Sequence, residues 1–215
     1  MSEKKDIASQ KTIKIIILGD GGVGKTSIFT RYIHNKFDPH NIATTGVDFE
    51  SKIFKYKDKS FSIILYDTAG EERFRNITKN YYHMGDGIFI VFDLTNENSL
   101  ISIKNWVQAV LEENVDSKFI ILGNKDDLKD QISKEIIDEH LKDYKDRLYI
   151  KTSAKTNKNI KHAFEKMIDL INGEEDYNDN DGKKNSNKKN INSQRYNSFQ
   201  LSTKNENKKI NMSCC

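Results

Sequence analysis

Short, almost wholly apolar runs alternate along this chain with longer stretches in which apolar residues recur every three or four positions. Ile13-Lys14-Ile15-Ile16-Ile17-Leu18, Ile88-Phe89-Ile90-Val91-Phe92, Phe119-Ile120-Ile121-Leu122-Gly123 and Leu148-Tyr149-Ile150 read as strands, the continuous apolar ones suited to cover on both faces. Ser27–Ile33 has apolar residues at helical spacing. The same spacing holds for Leu100, Ile103, Trp106/Val107 and Val110/Leu111, and for Ile160, Phe164, Met167/Ile168 and Ile171. Residues 46–56 and 60–67 read as two more strands joined by a tight turn at Lys57-Asp58-Lys59, an antiparallel hairpin. The alternation predicts an α/β fold: a doubly wound, mostly parallel six-stranded sheet with helices on both faces. The helical stripes are expected to be core, and a ligand is expected beyond the carboxyl ends of the strands.

Composition sets the boundaries. Of 215 residues, 1–10 form a polar, flexible extension, 11–172 carry the periodic pattern of one domain, and 173–215 read as a tail. Residues 174–181 hold five acids and no base, whereas 183–215 hold eight Lys/Arg against one acid (Glu206) amid much Asn and Ser. Such a tail buries too little apolar surface to offset chain entropy and is expected to be a disordered tether. The overall charge of +3 points to no nucleic-acid partner. The polar start Met1-Ser2-Glu3-Lys4-Lys5-Asp6 has no signal-peptide core, and no apolar run approaches the about 18 residues of a membrane span. Both cysteines, Cys214 and Cys215, lie in the tail, so the folded part is expected to be a cytosolic domain without disulfides. The histidines show no metal-ligand spacing.

The chemistry starts at Gly19-Asp20-Gly21-Gly22-Val23-Gly24-Lys25-Thr26, which fits G-x-x-x-x-G-K-[ST] and stands between a strand and a helix. A glycine loop in that place turns backbone N–H groups inward as a phosphate cradle, and the helix N-terminus adds partial positive charge. Lys25 can reach the β- and γ-phosphates, and the Thr26 hydroxyl can ligate Mg²⁺. Two later segments choose the base. Asn124-Lys125-Asp126-Asp127 follows a strand, and the Asp127 carboxylate can accept both the N1–H and the 2-amino N–H of guanine, donors that adenine lacks. Thr152-Ser153-Ala154-Lys155 follows the next strand, where a backbone N–H can meet the guanine carbonyl. The ligand is read as GTP or GDP.

With these motifs in order, the chain from about Lys11 to Asn172 resembles a small GTPase of the Ras superfamily, with the P-loop GTPase G domain as its fold. Within that superfamily it resembles the Rab family. Gly46-Val47-Asp48-Phe49, Glu72-Arg73-Phe74-Arg75, Ile77-Thr78, Tyr81-Tyr82 and Cys214-Cys215 carry that likeness, and the insertion of Rho proteins is absent. The resemblance implies phosphate binding by Gly21, Gly22, Val23, Gly24, Lys25, Thr26 and Ser27. It implies base recognition by Phe37, Asn124, Lys125, Asp127, Ser153, Ala154 and Lys155. Mg²⁺ would be coordinated by Thr26 and Thr44, with Asp67 holding an Mg²⁺-bound water, and Gly70 would meet the γ-phosphate. Catalytic roles would fall to Lys25, Gly70 and position 71. An exchange factor, an activating protein, a dissociation inhibitor or escort protein, and effectors are implied as partners through residues 37–49 and 70–82. Prenyl groups on Cys214 and Cys215 would anchor the chain to the cytoplasmic face of an intracellular membrane, in a role in vesicle traffic.

Three positions depart from the family pattern. Glu71 stands where the family usually has a catalytic Gln, Thr45 where an apolar residue is expected, and Asn41 where a Tyr is expected. Glu keeps the acceptors of Gln but loses its donors and adds negative charge beside a phosphate group. A chain that retains GTP and serves as an effector-recruiting scaffold is therefore the alternative to a hydrolysing switch.

Overall fold

A computed structural model describes residues 11–40, 44–70, 81–114, 116–129 and 132–173. In it, strands β1 (Lys11–Leu18), β2 (Val47–Tyr56), β3 (Lys59–Thr68), β4 (Gly87–Asp93), β5 (Phe119–Asn124) and β6 (Tyr149–Lys151) form one sheet in the order β2-β3-β1-β4-β5-β6. Every pairing is parallel except β2 with β3. From β1 the strand order runs one way to β3 and β2 and the other way to β4, β5 and β6. That reversal opens a crevice at the carboxyl ends of β1 and β4, the place where such sheets take ligands.

Helices α1 (Lys25–His34), α2 (Glu97–Ile101), α3 (Ile103–Glu113), α4 (Lys134–His140) and α5 (Ile160–Asn172) surround the sheet. The strands separate two cores, as alternate residues along them require. Ile13, Ile15 and Ile17 pack with Phe89, Val91, Ile120 and Leu122 under α1 and α5. Ile16, Leu18, Ile88, Ile90 and Ile121 pack on the other face with Trp106, Val107 and Val110 of α3 and Ile137 of α4. Phe164 of α5 joins three elements: its ring stacks on Tyr32 of α1 at 3.5 Å and meets Phe89 of β4 edge-on at 5.0 Å. Full burial of such a ring contributes about 1.5–3 kcal/mol.

The hairpin differs from expectation by one residue. Tyr56 pairs with Lys59, so the turn is Lys57-Asp58 alone, and both have positive φ (46 and 58). A two-residue turn of that hand matches the right-handed twist of its strands. Asp169 of α5 holds the tip in place, accepting from the Tyr56 hydroxyl at 2.9 Å and from Lys57 Nζ at 2.8 Å. The stripe from Leu100 to Leu111 is divided between α2 and α3 at Ser102, whose hydroxyl donates back to the Asn98 carbonyl at 3.0 Å. Helix α4 and the 3₁₀ turn Lys142–Tyr144 had no counterpart in the sequence reading. α5 ends at Asn172, with Gly173 in the left-handed conformation (φ 71) as its cap. The extension at 1–10, Asn41, Glu71, most of 70–82 and the tail with Cys214 and Cys215 lie outside the described residues. Among the described residues no helix is long and apolar enough to cross a membrane.

Candidate functional site

The loop after β1 approaches other backbone closely enough to require glycine. A Cβ on Gly19 (φ 144) would run into the Val91 carbonyl, and one on Gly24 (φ 95) into the Asn124 side-chain amide. Gly24 is the left-handed N-cap of α1, and no side chain caps the first turn of that helix. Lys25, Thr26 and Ser27 of that first turn line the crevice, so the helix N-terminus lies at a place suited to an anion. Lys25 folds back beneath the loop, where Nζ donates to the carbonyls of Gly19 at 2.9 Å and Asp20 at 2.8 Å. Burial lowers the Lys25 pKa to about 8, with Asp67 and Asp20 pulling the other way. A phosphate beside it would act in the same sense as those carboxylates. Gly70 closes over this group: a Cβ there would meet Lys25 Nζ and the Asp20 carbonyl.

Three oxygens from separate elements meet next to the lysine. Thr26 Oγ1 of α1 donates to Asp67 Oδ2 of β3 at 2.7 Å and lies 2.8 Å from Thr44 Oγ1. Thr44 Oγ1 is 3.3 Å from the same carboxylate oxygen. Asp67 is 2 % exposed, and burial pushes its carboxyl up while Thr26, Lys25 and Thr44 oppose the shift. Its other oxygen, Oδ1, is buried without a hydrogen-bond partner. Two hydroxyls and one carboxylate are hard oxygen donors of the kind Mg²⁺ takes, and the unsatisfied Oδ1 fits a metal-bound water. Among the described residues no group of three or more His, Cys, Asp or Glu could hold a metal. A cation held here by Thr26, Thr44 and the Asp67 side would have positions left for water and phosphate oxygens, ligands that Mg²⁺ commonly keeps.

At the far end of the crevice Asn124, 2 % exposed at the end of β5, joins three loops. Its Nδ2 donates to the Val23 carbonyl at 3.0 Å, and its Oδ1 accepts from the Ala154 N–H at 3.3 Å and the Thr152 hydroxyl at 3.4 Å. Lys125 adopts a positive φ of 68 and pairs with Asp93 at the end of β4, Nζ to Oδ2 2.6 Å. Asp127 Oδ1 accepts from the Ser153 hydroxyl at 2.6 Å, and Lys155 Nζ stands 3.7 Å from Asp127 Oδ2. One carboxylate oxygen is thus fixed by protein, which sets the plane of the group.

A cavity of about 650 Å³ runs between the two ends. Of the residues expected at the site, Gly21, Gly22, Gly24, Lys25, Thr26, Ser27, Phe37, Thr44, Gly70, Asn124, Lys125, Asp127, Ala154 and Lys155 line it. Val23 and Ser153 do not; both are buried behind the wall and hold lining residues in position. Asp67 lies behind Thr26 and Thr44 in the same way. Asp38, Pro39, Thr68 and Leu128 line the cavity without having been foreseen. Also unforeseen were Asp93, the partner of Lys125, and Trp106, whose indole N–H donates to Asp20 Oδ1 at 2.8 Å. Asp93 carried one signal, an acid ending an otherwise apolar strand; the Trp106 bond carried none. Outside the crevice, Phe49 is 64 % exposed on edge strand β2 and begins an aromatic row, 5.6 Å from Tyr66 and on to Tyr81 at 5.9 Å.

Comparison with known proteins agrees with this geometry. The family model described as Ras family matches residues 14–173. The chain is 40% identical over 154 residues to Ras-related protein Rab-8A of Bos taurus, and equally to that of Mus musculus and to Ras-related protein Rab-8B of Homo sapiens. In each case the match covers 70% of this chain and 74% of the relative.

Proposed function

The chain belongs to the Ras family and is a Rab-like small GTPase, and from that membership we propose that it is a GTP/GDP switch in intracellular vesicle and membrane traffic. The observation that carries the reading is one cavity shared by the phosphate loop, the Thr26–Thr44–Asp67 oxygens and the two base loops. In the proposed cycle the N–H groups at the start of α1 and the Lys25 ammonium bind the phosphates, while Asp127 and a backbone N–H of the segment 152–155 read guanine. Thr26, Thr44 and the Asp67 side would hold Mg²⁺, which would supply charge neutralisation at the phosphate oxygens. Thr44 and the Gly70 N–H respond to the γ-phosphate. Thr44 reaches the site from the segment before β2, and Gly70 from the segment after β3. Losing the γ-phosphate removes a partner from both, so both segments relax together. The aromatic row of Phe49, Tyr66 and Tyr81 lies within or beside the same two segments and suits recognition by effectors, exchange factors and activators.

Glu71 directly follows Gly70 and decides how fast the switch resets. Its charge and its missing donors are expected to slow intrinsic hydrolysis about tenfold relative to Glu71→Gln, a barrier difference of about 1.4 kcal/mol, with GTP affinity nearly unchanged. Single-turnover GTP hydrolysis by both proteins, with and without a Rab-type activating protein, tests the whole reading. Equal intrinsic rates would remove any role for Glu71. No hydrolysis under either condition would favour the GTP-retaining scaffold.

The basic segment 183–215 and its adjacent thiols, Cys214 and Cys215, are proposed as a doubly prenylated anchor for the cytoplasmic face of an intracellular membrane. One lipid chain gives only marginal, reversible binding, so two adjacent acceptors make a stable anchor, and each Lys or Arg near an anionic surface adds about 1 kcal/mol. Replacing both cysteines by Ser should move the protein to the soluble fraction of cells while GTP binding persists. A double variant that stays on membranes would overturn the anchor.

A further inference from the structure

Arg31, in the last turn of α1, belongs to none of the nucleotide motifs, yet its guanidinium faces two walls of the base end of the cavity. Nε donates to the Ala154 carbonyl at 2.8 Å and Nη2 to the Lys155 carbonyl at 3.0 Å, from residues 123 and 124 positions further along the chain. Nη1 donates to the Asn35 carbonyl at 2.8 Å and to Asn35 Oδ1 at 3.3 Å. Asn35 is the left-handed C-cap of α1 (φ 54), two residues before Phe37. Phe37, Ala154 and Lys155 all line the cavity, while Arg31 braces them from outside it.

We propose that Arg31 is a positioning residue for the 6-oxo edge of guanine, acting by locking the backbone of Ala154 and Lys155 from behind. The proposal rests on the guanine reading and adds to it the group that fixes one of the two recognition arms. In a trans peptide the N–H points opposite the carbonyl. Holding the Ala154 carbonyl on Arg31 therefore turns the Lys155 N–H away from Arg31. The Lys155 N–H is thereby oriented before any base arrives, which removes an ordering cost from binding. The Ala154 N–H is held separately, by Asn124 Oδ1 at 3.3 Å. Only the planar, permanently charged fork of arginine can serve two adjacent carbonyls and the helix cap together; lysine carries its donors at a single point. The Asp127 arm is fixed by the Ser153 hydroxyl, which Arg31 does not touch, so the two arms should respond separately to substitution.

The test compares affinities of the full chain for GDP, 6-thio-GDP, IDP and ADP in wild type, Arg31→Ala and Arg31→Lys. 6-Thio-GDP replaces the 6-oxo group by sulfur, a weak acceptor; IDP lacks only the 2-amino group read by Asp127. Arg31→Ala should weaken GDP binding and narrow the preference for GDP over 6-thio-GDP about tenfold, the discrimination carried by one good hydrogen bond. The preference for GDP over IDP should stay within about twofold, because it draws on Asp127 rather than on Arg31. Arg31→Lys should fall between, and it gives the same comparison if the alanine variant does not fold. Equal weakening of all the purine diphosphates, with both ratios unchanged, would mean general loosening and would overturn the proposal, as would unchanged GDP affinity. A wild type that fails to prefer GDP over ADP would instead overturn the guanine reading itself.

Discussion

Asp127→Asn should convert a guanine site into one that prefers xanthine. GDP affinity is expected to fall by about 10²–10⁴, because two hydrogen bonds to a charged acceptor are lost, each contributing about 1.5–3 kcal/mol. The 2-oxo group of xanthine is repelled by a carboxylate but accepts from an amide N–H, so XDP affinity should rise as GDP affinity falls. The geometry favours a clean exchange. Ser153 Oγ donates to Asp127 Oδ1 at 2.6 Å, and it can donate equally to the amide oxygen of Asn. The new NH₂ group is then directed to the position where the second carboxylate oxygen faced the base. Calorimetry with GDP, XDP and ADP on both proteins checks this, and comparable GDP and ADP affinity in the wild type would show that this loop does not read the base.

The second large effect is expected at Asn124, for a different reason. Asn124→Ala removes a buried amide that satisfies the Val23 carbonyl, the Ala154 N–H and the Thr152 hydroxyl. Each group left unpaired in the interior costs about 1–3 kcal/mol, and the phosphate loop loses the bond from Asn124 Nδ2 to the Val23 carbonyl. Nucleotide dissociation should accelerate by about 10²–10³, measured with a fluorescent GDP chased by unlabelled GDP. Asn124→Asp keeps an acceptor for Ala154 but sets a carboxylate oxygen against the Val23 carbonyl, so it should also dissociate faster. A rate within about twofold of wild type in both variants would remove Asn124 from the role of joining the loops. The two predictions separate recognition from assembly: Asp127→Asn changes which base binds, whereas Asn124→Ala weakens every nucleotide.

The glycine loop, the strands of an α/β sheet and the motifs that choose the base were legible in the sequence because each depends on local chemistry. A strand, a glycine turn and a helix start are contiguous at 13–33, and their backbone donors follow from that order alone. The continuous apolar run at Ile88–Phe92 predicted a strand buried on both faces, and it is. The hairpin was legible to within one residue, since side-chain alternation marks a strand but not the φ values that make Lys57-Asp58 a sufficient turn. Helix α4 escaped because seven residues hold too few turns to display a period.

What tertiary structure alone decided is the division of labour within the site. The sequence singled out Asp127 for the base but gave Asn124 and Ser153 no separate parts. Folding makes Asn124 a joint between loops 101 residues apart, has Asp127 line the cavity and puts Ser153 behind it. Arg31, Asp93 and Trp106 acquire their partners in the same way, through bonds that span the chain and leave no local pattern. Sequence by itself determined which chemical groups are supplied and in what backbone setting, because propensity, periodicity and loop chemistry act over a few residues. Only the folded sheet decided which of those groups face the cavity and which brace it, because a side chain's role is set by the neighbours that packing brings within about 3 Å, the reach of a hydrogen bond.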